Sequence, residues 1–163
     1  MHVVSNTSPI WNLASIERLY FLHLQFDTVF IPREVLSELQ SGRGSKELAQ
    51  IQTALDDEWL KVESLTTLTV KNSLLQNLDQ GEAAAIALAI ENNVDRILMD
   101  EIDGRRAATS LGLKPMGVLG ILLQAKLDGC IEFVKPELEK LKYDANFFIA
   151  ESLFQRILTE AGE

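Results

Sequence analysis

Five oxygen-bearing side chains, spread along the chain, could together bind a divalent cation. Asn6 and Asp100 each end an apolar run, Glu38 and Glu82 fall on predicted helices, and Asp103 follows closely after Asp100. Carboxylate and amide oxygens are suitable ligands for Mg²⁺ and Mn²⁺. A parallel sheet gathers the carboxyl ends of its strands at one edge, so these residues can meet although they are distant in sequence. The pattern therefore indicates a candidate metal site at a sheet edge.

The segment around Asp100 is the sharpest local pattern. The strand-like run 96–99 leads into three carboxylates within four residues, and Arg105 and Arg106 follow directly. One interpretation is an acidic loop that caps the next helix, since Asp is favourable near a helix N-terminus. The other makes Asp100 a metal ligand and Asp103 a ligand or water anchor, with both arginines in contact with substrate phosphate. This segment alone leaves both interpretations open.

Glu82 and Glu38 each have a structural interpretation beside the functional one. Asp79 and Glu82 have the spacing of a capping box, in which two side chains satisfy the first backbone groups of a helix. Glu82 is alternatively a ligand that faces Asp100 at the sheet edge. Glu38 borders the apolar face of its helix, where a carboxylate needs a partner or a metal. Glu34, one turn earlier, is the alternative ligand, and simple solvation is the structural interpretation of Glu38.

Asn6 and Ser8 follow the first apolar run and precede Pro9. Residues of these types are common in turns and helix caps, and Ser8 is predicted to be the N-cap of a helix with Pro9 in its first turn. The functional interpretation makes Asn6 a neutral oxygen ligand and Ser8 a hydroxyl that positions a water molecule.

The elements that must position these residues alternate between strands and helices. Strands are predicted at residues 2–5, 26–31, 60–65, 95–99 and 114–117. Helices are predicted from residue 8 onward and at residues 33–39, 45–56, 69–78, 81–91, 105–111 and 118–128, with one or two more in the tail. This alternation favours an α/β layer fold with a parallel sheet.

Length and composition favour one domain that spans residues 1–163. The single cysteine, Cys130, cannot form an internal disulfide, so a reducing cytoplasm fits best, and we expect this thiol to be buried. The longest apolar segment is too short to cross a bilayer, so no membrane association is expected. The net charge of −9 argues against a general nucleic-acid coat protein but is compatible with a nuclease whose carboxylates bind metal.

Taken in order, five motifs resemble a compact prokaryotic subgroup of the PIN-domain superfamily. They are S-[DN]-x-S-P at residues 5–9, I-P-x-x-V-x-x-E-L at 31–39, L-D-x-G-E-A-x-A-I-A-L-A at 78–89, L-x-D-E-x-x-G-R-R at 98–106 and G-x-L-G-I-L-x-x-A-K at 117–126. The resemblance covers nearly the whole chain. It implies a PIN-like three-layer α/β fold, in which helices flank a short parallel sheet and an acidic metal site lies at one sheet edge.

The resemblance also implies an activity. Many PIN proteins are Mg²⁺- or Mn²⁺-dependent ribonucleases, and many prokaryotic ones are similar to VapC-type toxins of toxin–antitoxin pairs. An endoribonuclease toxin with an RNA substrate and an antitoxin partner is therefore expected. By matched position, the metal ligands are Asn6, Glu38, Glu82, Asp100 and Asp103, the four acids being also the catalytic residues. Ser8, Arg105 and Arg106 are expected to bind substrate.

Two other functions compete with this one. The superfamily usually has Asp at the first site position, so Asn6 and the acidic net charge favour a catalytically weak or inactive PIN-fold module that binds RNA or protein. A receiver-like phospho-acceptor needs a lysine near the end of a late strand, and Lys114 before Pro115 is a poor candidate. A homodimer is also expected, because Phe147, Phe148, Leu153 and Phe154 are predicted to form an exposed apolar stripe in the tail.

Overall fold

A computed structural model describes residues 1–163 and contains five strands and ten helices. The strands are β1 (His2–Ser5), β2 (Thr28–Pro32), β3 (Leu60–Glu63), β4 (Arg96–Leu98) and β5 (Lys114–Met116). The helices are α1 (Thr7–Ser15), α2 (Phe21–Gln25), α3 (Arg33–Gln40), α4 (Ser45–Asp56), α5 (Thr69–Leu74), α6 (Gln80–Glu91), α7 (Ile102–Ser110), α8 (Val118–Leu127), α9 (Lys135–Tyr143) and α10 (Glu151–Glu160). None of these helices is long and apolar enough to cross a membrane.

All five strands are parallel and lie in the order β3-β2-β1-β4-β5. The chain builds the sheet outward from β1 to β3, and then returns to the other side of β1 to add β4 and β5. The order therefore reverses between β1 and β4. In open α/β sheets, ligands bind beyond the carboxyl ends of the strands at such a reversal.

Helices cover both faces of the sheet, which gives the predicted three-layer α/β fold. The neighbours Val3 and Val4 in β1 are both fully buried but belong to separate cores on opposite faces, because successive side chains in a strand alternate. Residues 81–89 of α6 are all buried, and this helix packs directly against β1 and β2. Its alanines allow the close approach.

The tail forms two helices, where one or two were predicted, and both pack on the core. Leu138 in α9 and Ile157 in α10 are buried there. The predicted exposed stripe is only partly present: Phe154 is buried, whereas Phe148 is 87% exposed. Phe154 faces inward because α10 turns its apolar side toward the core, and of the four residues only Phe148, in the segment before α10, is strongly exposed.

Three local expectations are wrong. Cys130 is exposed, not buried, because it follows Gly129, whose positive φ of 76° turns the chain outward after α8. Ser8 is not a helix N-cap: α1 begins at Thr7, Asn6 occupies the cap position, and Ser8 turns its hydroxyl toward another partner. The short helix α2 was not predicted, and α7 begins at Ile102 rather than Arg105.

Candidate functional site

Asn6 and Asp100 lie on the two sides of the crevice between β1 and β4. Asn6 directly follows β1, and its backbone N–H donates to the carbonyl oxygen of Leu98 at 2.9 Å. Asp100 comes two residues after the end of β4. The parallel arrangement of the two strands thus brings an amide and a carboxylate, 94 positions apart in the chain, to the same sheet edge.

The side chain of Asn6 is buried and only half satisfied. The residue is 3% exposed, and its Nδ2 donates to Oε2 of Glu101 at 3.3 Å. Its Oδ1 is buried and has no hydrogen-bond partner. A buried polar atom without a partner costs on the order of 1–3 kcal/mol, so this oxygen is a natural acceptor for a donor or a cation from outside the chain.

Asp100 is held by the first turns of two helices. Its Oδ1 accepts from the backbone N–H of Val118 in α8 at 2.8 Å, and its Oδ2 accepts from Oγ of Ser8 in α1 at 3.3 Å. Gly117 leaves room for this contact, because a Cβ at that position would lie 2.6 Å from Oδ1 of Asp100 and would force a shift. Asp100 therefore contacts the start of α8, whereas the helix-capping interpretation placed it on the helix that follows it.

The charge of Asp100 is unfavourable in this position. Its pKa is raised to about 6, mainly by burial and to a lesser extent by the negative charge of Glu101, while the hydrogen bonds from Val118 and Ser8 and the charge of Arg105 act in the opposite direction. Removal of a carboxylate from water disfavours its ionised form unless a positive charge compensates. A cation at this edge would restore the balance.

Glu38 reaches the same edge from α3 and is not simply solvated. Its carboxylate accepts a short hydrogen bond from Oγ1 of Thr7, the first residue of α1. It also lies against the first turn of α6, since a Cβ at Gly81 would come within 2.5 Å of Oε1 of Glu38. Glu34, the alternative ligand, instead pairs with Lys71 at 3.2 Å. Glu38 is thus the glutamate of α3 that faces the crevice.

The structure confirms the capping-box interpretation of Glu82, and its role as a ligand stays a prediction. Its backbone N–H donates to Oδ1 of Asp79 at 2.8 Å, and its Oε2 accepts from the N–H of Asp79 at 3.2 Å, which completes the capping box. Glu82 is nevertheless only 7% exposed. Burial raises its pKa, and the charges of Asp79, Glu101 and Asp103 raise it further, while the hydrogen bond from Asp79 lowers it. No cation in the chain pairs with it.

The remaining predicted residues lie on α7, at the rim of the crevice. Asp103 is exposed in the first turn and acts on Glu82 through its charge. Arg105 donates from Nη1 to the carbonyl oxygen of Met99 at 2.9 Å and lines a cleft of about 620 Å³ together with Asp100. Arg105 and the exposed Arg106 also line a second, shallower cleft.

The chemistry of these residues fits a hard divalent cation, although they do not surround one point. Their donors are carboxylate oxygens and the partnerless Oδ1 of Asn6, and burial together with repulsion from neighbouring carboxylates raises the pKa of both Glu82 and Asp100. However, no three His, Cys, Asp or Glu side chains form a group that could hold a metal ion. The expectation that Glu38, Glu82 and Asp100 converge on one ion is therefore not met by this arrangement, and their role as ligands stays a prediction.

The sequence did not reveal two residues of the site. Thr7 donates to Glu38, and Glu101 accepts from Asn6 and acts on the charges of Glu82 and Asp100. Glu101 is the middle acid of the run after β4, so the sequence did contain a signal. Local pattern could not tell which of three neighbouring carboxylates turns toward the crevice.

Comparison with known proteins agrees with this geometry. Residues 2–163 match a family model described as a PIN domain. No curated protein matches the chain. Among solved structures, a PilT N-terminus domain protein from the hyperthermophilic archaeon Sulfolobus solfataricus P2 is similar, with 21% identity and a TM-score of 0.54. The match covers 77% of this chain and 93% of that chain, and at this identity it supports the fold alone.

Proposed function

Because the chain belongs to the PIN-domain family, whose members are generally nucleases, we propose that it is an endoribonuclease dependent on Mg²⁺ or Mn²⁺. One observation carries the proposal. The buried Oδ1 of Asn6 has no partner at the same sheet edge where burial and like charge raise the pKa of Glu82 and Asp100. An oxygen without a donor, beside carboxylates whose charge the chain does not balance, is what a hard cation would complete.

The residues that would hold the ion are Asn6, Glu38, Glu82 and Asp100, with Asp103 as a further ligand or water anchor. Mg²⁺ or Mn²⁺ held there would supply a Lewis acid for a phosphodiester and positive charge for the leaving oxygen. The chain itself orients Asp100 through Val118 and Ser8, and fixes Glu38 through Thr7.

Substrate binding is assigned to the rim of the same crevice. Arg106 is exposed, and the guanidinium of Arg105 keeps donors free beside its bond to Met99. Guanidinium groups form strong, charge-assisted hydrogen bonds with phosphate. We assign these two arginines to the RNA backbone, and Ser8 to a water molecule or substrate oxygen next to Asp100.

A cleavage assay on structured RNA tests the activity. The protein should cut in Mn²⁺ or Mg²⁺ and lose activity in EDTA. Asp100→Asn should lower the rate at least about 100-fold, or about 2.7 kcal/mol of transition-state stabilisation. Asp95→Asn is the matched control, because Asp95 is exposed before β4 and pairs only with Lys114. Equal rates for Asp100→Asn and the unchanged protein would reject the proposal.

A second candidate function is a PIN-fold module that binds RNA or protein and cuts weakly or not at all. The absence of a three-acid group and the neutral side chain of Asn6 favour it. This function predicts that labelled RNA is retained in a filter-binding or gel-shift experiment. It also predicts that the cleavage assay yields no products, even at millimolar Mn²⁺.

The proposed biological role is that of a toxin in a toxin–antitoxin pair, acting as a single PIN-like domain in the cytoplasm. A partner would have an apolar surface available at the cleft of about 620 Å³, which Leu119, Leu123 and Phe147 line beside Phe148. The homodimer remains part of this proposal. Light scattering at tens of micromolar tests it, and co-purification with the product of an adjacent short reading frame tests the antitoxin.

A further inference from the structure

We infer that Glu101 is a positioning residue, which holds the amide of Asn6 so that its carbonyl oxygen stays free to bind a cation. The two residues then form a matched pair, in which the negative charge stands at position 101 and the neutral ligand at position 6. The cation-binding part of this inference rests on the proposed function, whereas the pairing of the two side chains does not.

The pairing follows from the two different ends of an amide. Nδ2 of Asn6 can only donate and Oδ1 can only accept, while an ionised carboxylate such as that of Glu101 can only accept. The contact of 3.3 Å between Nδ2 and Oε2 therefore selects one of the two amide orientations. The other orientation would place Oδ1 against the carboxylate, with no proton between two acceptors.

The selected orientation leaves Oδ1 buried without a partner, in a residue that is 3% exposed. An amide that could turn freely would gain stability by giving that oxygen a hydrogen-bond donor. The bond from Nδ2 to Glu101 therefore holds the amide in an orientation in which Oδ1 has no donor within the chain. The charge of Glu101 also acts on Glu82 and on Asp100. Glu101 thus lies close to the other acidic residues and contributes a negative charge at an edge where Asn6 is neutral.

The same contact explains why an aspartate at position 6 would not suit this chain. Asn6→Asp would bring a second carboxylate to the distance of the present hydrogen bond, and like charges so close disfavour one another. Asn6→Asp combined with Glu101→Gln would move the charge to position 6 and place the amide at position 101. The double variant keeps the net charge of the protein and restores a donor between the two side chains.

Thermal unfolding in EDTA at constant pH measures this coupling without any metal. Asn6→Asp should lower Tm by about 3–6 °C, the shift expected when like charges meet in a protein of this size. Glu101→Gln alone should change Tm by less than about 2 °C. In the Glu101→Gln background, Asn6→Asp should lower Tm by no more than half as much as it does in the unchanged protein. An equal loss in both backgrounds would overturn the pairing.

The side-chain amide signals of Asn6 in a ¹⁵N NMR spectrum report the orientation directly. Glu101→Ala should shift these signals and speed the exchange of the amide protons, whereas Glu101→Gln, which keeps a carbonyl acceptor, should retain them. Asn12 is the matched control, because its Nδ2 donates to Ser8 at 3.1 Å and should not respond. Unchanged Asn6 signals in Glu101→Ala would contradict the positioning role.

Titration with Mn²⁺ separates this inference from the proposed function. If the unchanged protein binds Mn²⁺, the double variant should bind it within about threefold of the same affinity, since each tenfold corresponds to 1.4 kcal/mol. Coupling between positions 6 and 101 without Mn²⁺ binding would support the pair and reject the cation site. Mn²⁺ binding without coupling would support the cation site and reject the pair.

Discussion

Two buried glutamates in different regions of the molecule have opposite electrostatic surroundings. Glu137 in α9 is 4% exposed and receives a fork of hydrogen bonds from Arg18, at 3.1 and 3.0 Å, with Lys140 at 3.5 Å. Glu82 in α6 is 7% exposed and has no cationic partner; its side chain accepts only from its own capping box. The first carboxylate is neutralised inside the chain, and the second is not.

The difference separates a carboxylate that the fold neutralises from one that the fold leaves without a charged partner. A buried charge needs a partner, and where the fold supplies it the charge connects elements, as Glu137 connects α9 to the segment after α1. At the edge of β1 and β4 the neighbours of Glu82 are other acids, so burial and repulsion raise its pKa. The chain bears this cost in one place only, at the edge where a parallel sheet binds ligands.

The largest effect on stability should come from removal of the satisfied carboxylate. Glu137→Ala should lower the free energy of unfolding by about 2 kcal/mol. The figure lies below that of a fully buried pair, because the side chains of Arg18 and Lys140 are 34% and 42% exposed. Denaturant unfolding measures it. Glu139→Ala, an exposed change on the same helix, is the control and should stay within about 0.5 kcal/mol. Similar values for both would mean that the fork contributes nothing.

Asp100→Asn should have the opposite sign and a smaller magnitude. The pKa of Asp100 is raised to about 6, so the folded state binds its proton more tightly than the unfolded state does. Stability should therefore fall as pH rises from about 4 to about 6, and the variant should lack this fall. At pH 8 we expect Asp100→Asn to be more stable by about 1–2 kcal/mol, since asparagine still offers an oxygen to Val118.

Urea titrations of the unchanged protein and Asp100→Asn, at pH 4.5 and pH 8 in EDTA, measure this difference. Asp95→Asn again serves as the control for a change of net charge. A variant that is less stable than the unchanged protein at pH 8 would contradict the account of Asp100 as a carboxylate whose charge is only partly compensated.

Glu82→Gln should produce the smallest change. Glutamine also serves at this position of a capping box, so the helix start is preserved while the charge is removed. Because the pKa of Glu82 is raised, its ionisation costs stability above that pKa, and the variant should be more stable near neutral pH by about 0.5–1 kcal/mol. Calorimetric Tm values in EDTA provide the measurement, and a lower Tm would show that the glutamate is satisfied within the fold.

The sequence predicted where the site lies better than how its side chains are arranged. The ends of β1 and β4 could be located from apolar runs, and sheet topology then brings Asn6 and Asp100 together, so these positions were accessible to sequence reasoning. The contact of Thr7 with Glu38 depends on the side-chain rotamers of one residue in α1 and one in α3, two helices that come together only in the tertiary fold. No periodicity records that geometry, and for the same reason Glu101 was not selected from three adjacent acids.

Burial was harder to predict at turns than in regular elements. The strand and helix core followed from periodicity, but the exposure of Cys130 depends on the positive φ of Gly129 at the end of α8. Serine is a favoured N-cap residue, yet the hydroxyl of Ser8 donates to Asp100, which follows β4 and is distant in sequence. Local preference was overridden by tertiary contact in both cases.

The central proposal is that the acidic edge at the ends of β1 and β4 binds a divalent cation. Calorimetric titration of EDTA-treated protein with Mn²⁺ tests it most directly. We expect saturable binding that weakens at least about tenfold in Asp100→Asn, or 1.4 kcal/mol, and is unchanged in Asp95→Asn. No saturable binding to the unchanged protein, or equal affinity in Asp100→Asn, would contradict the claim.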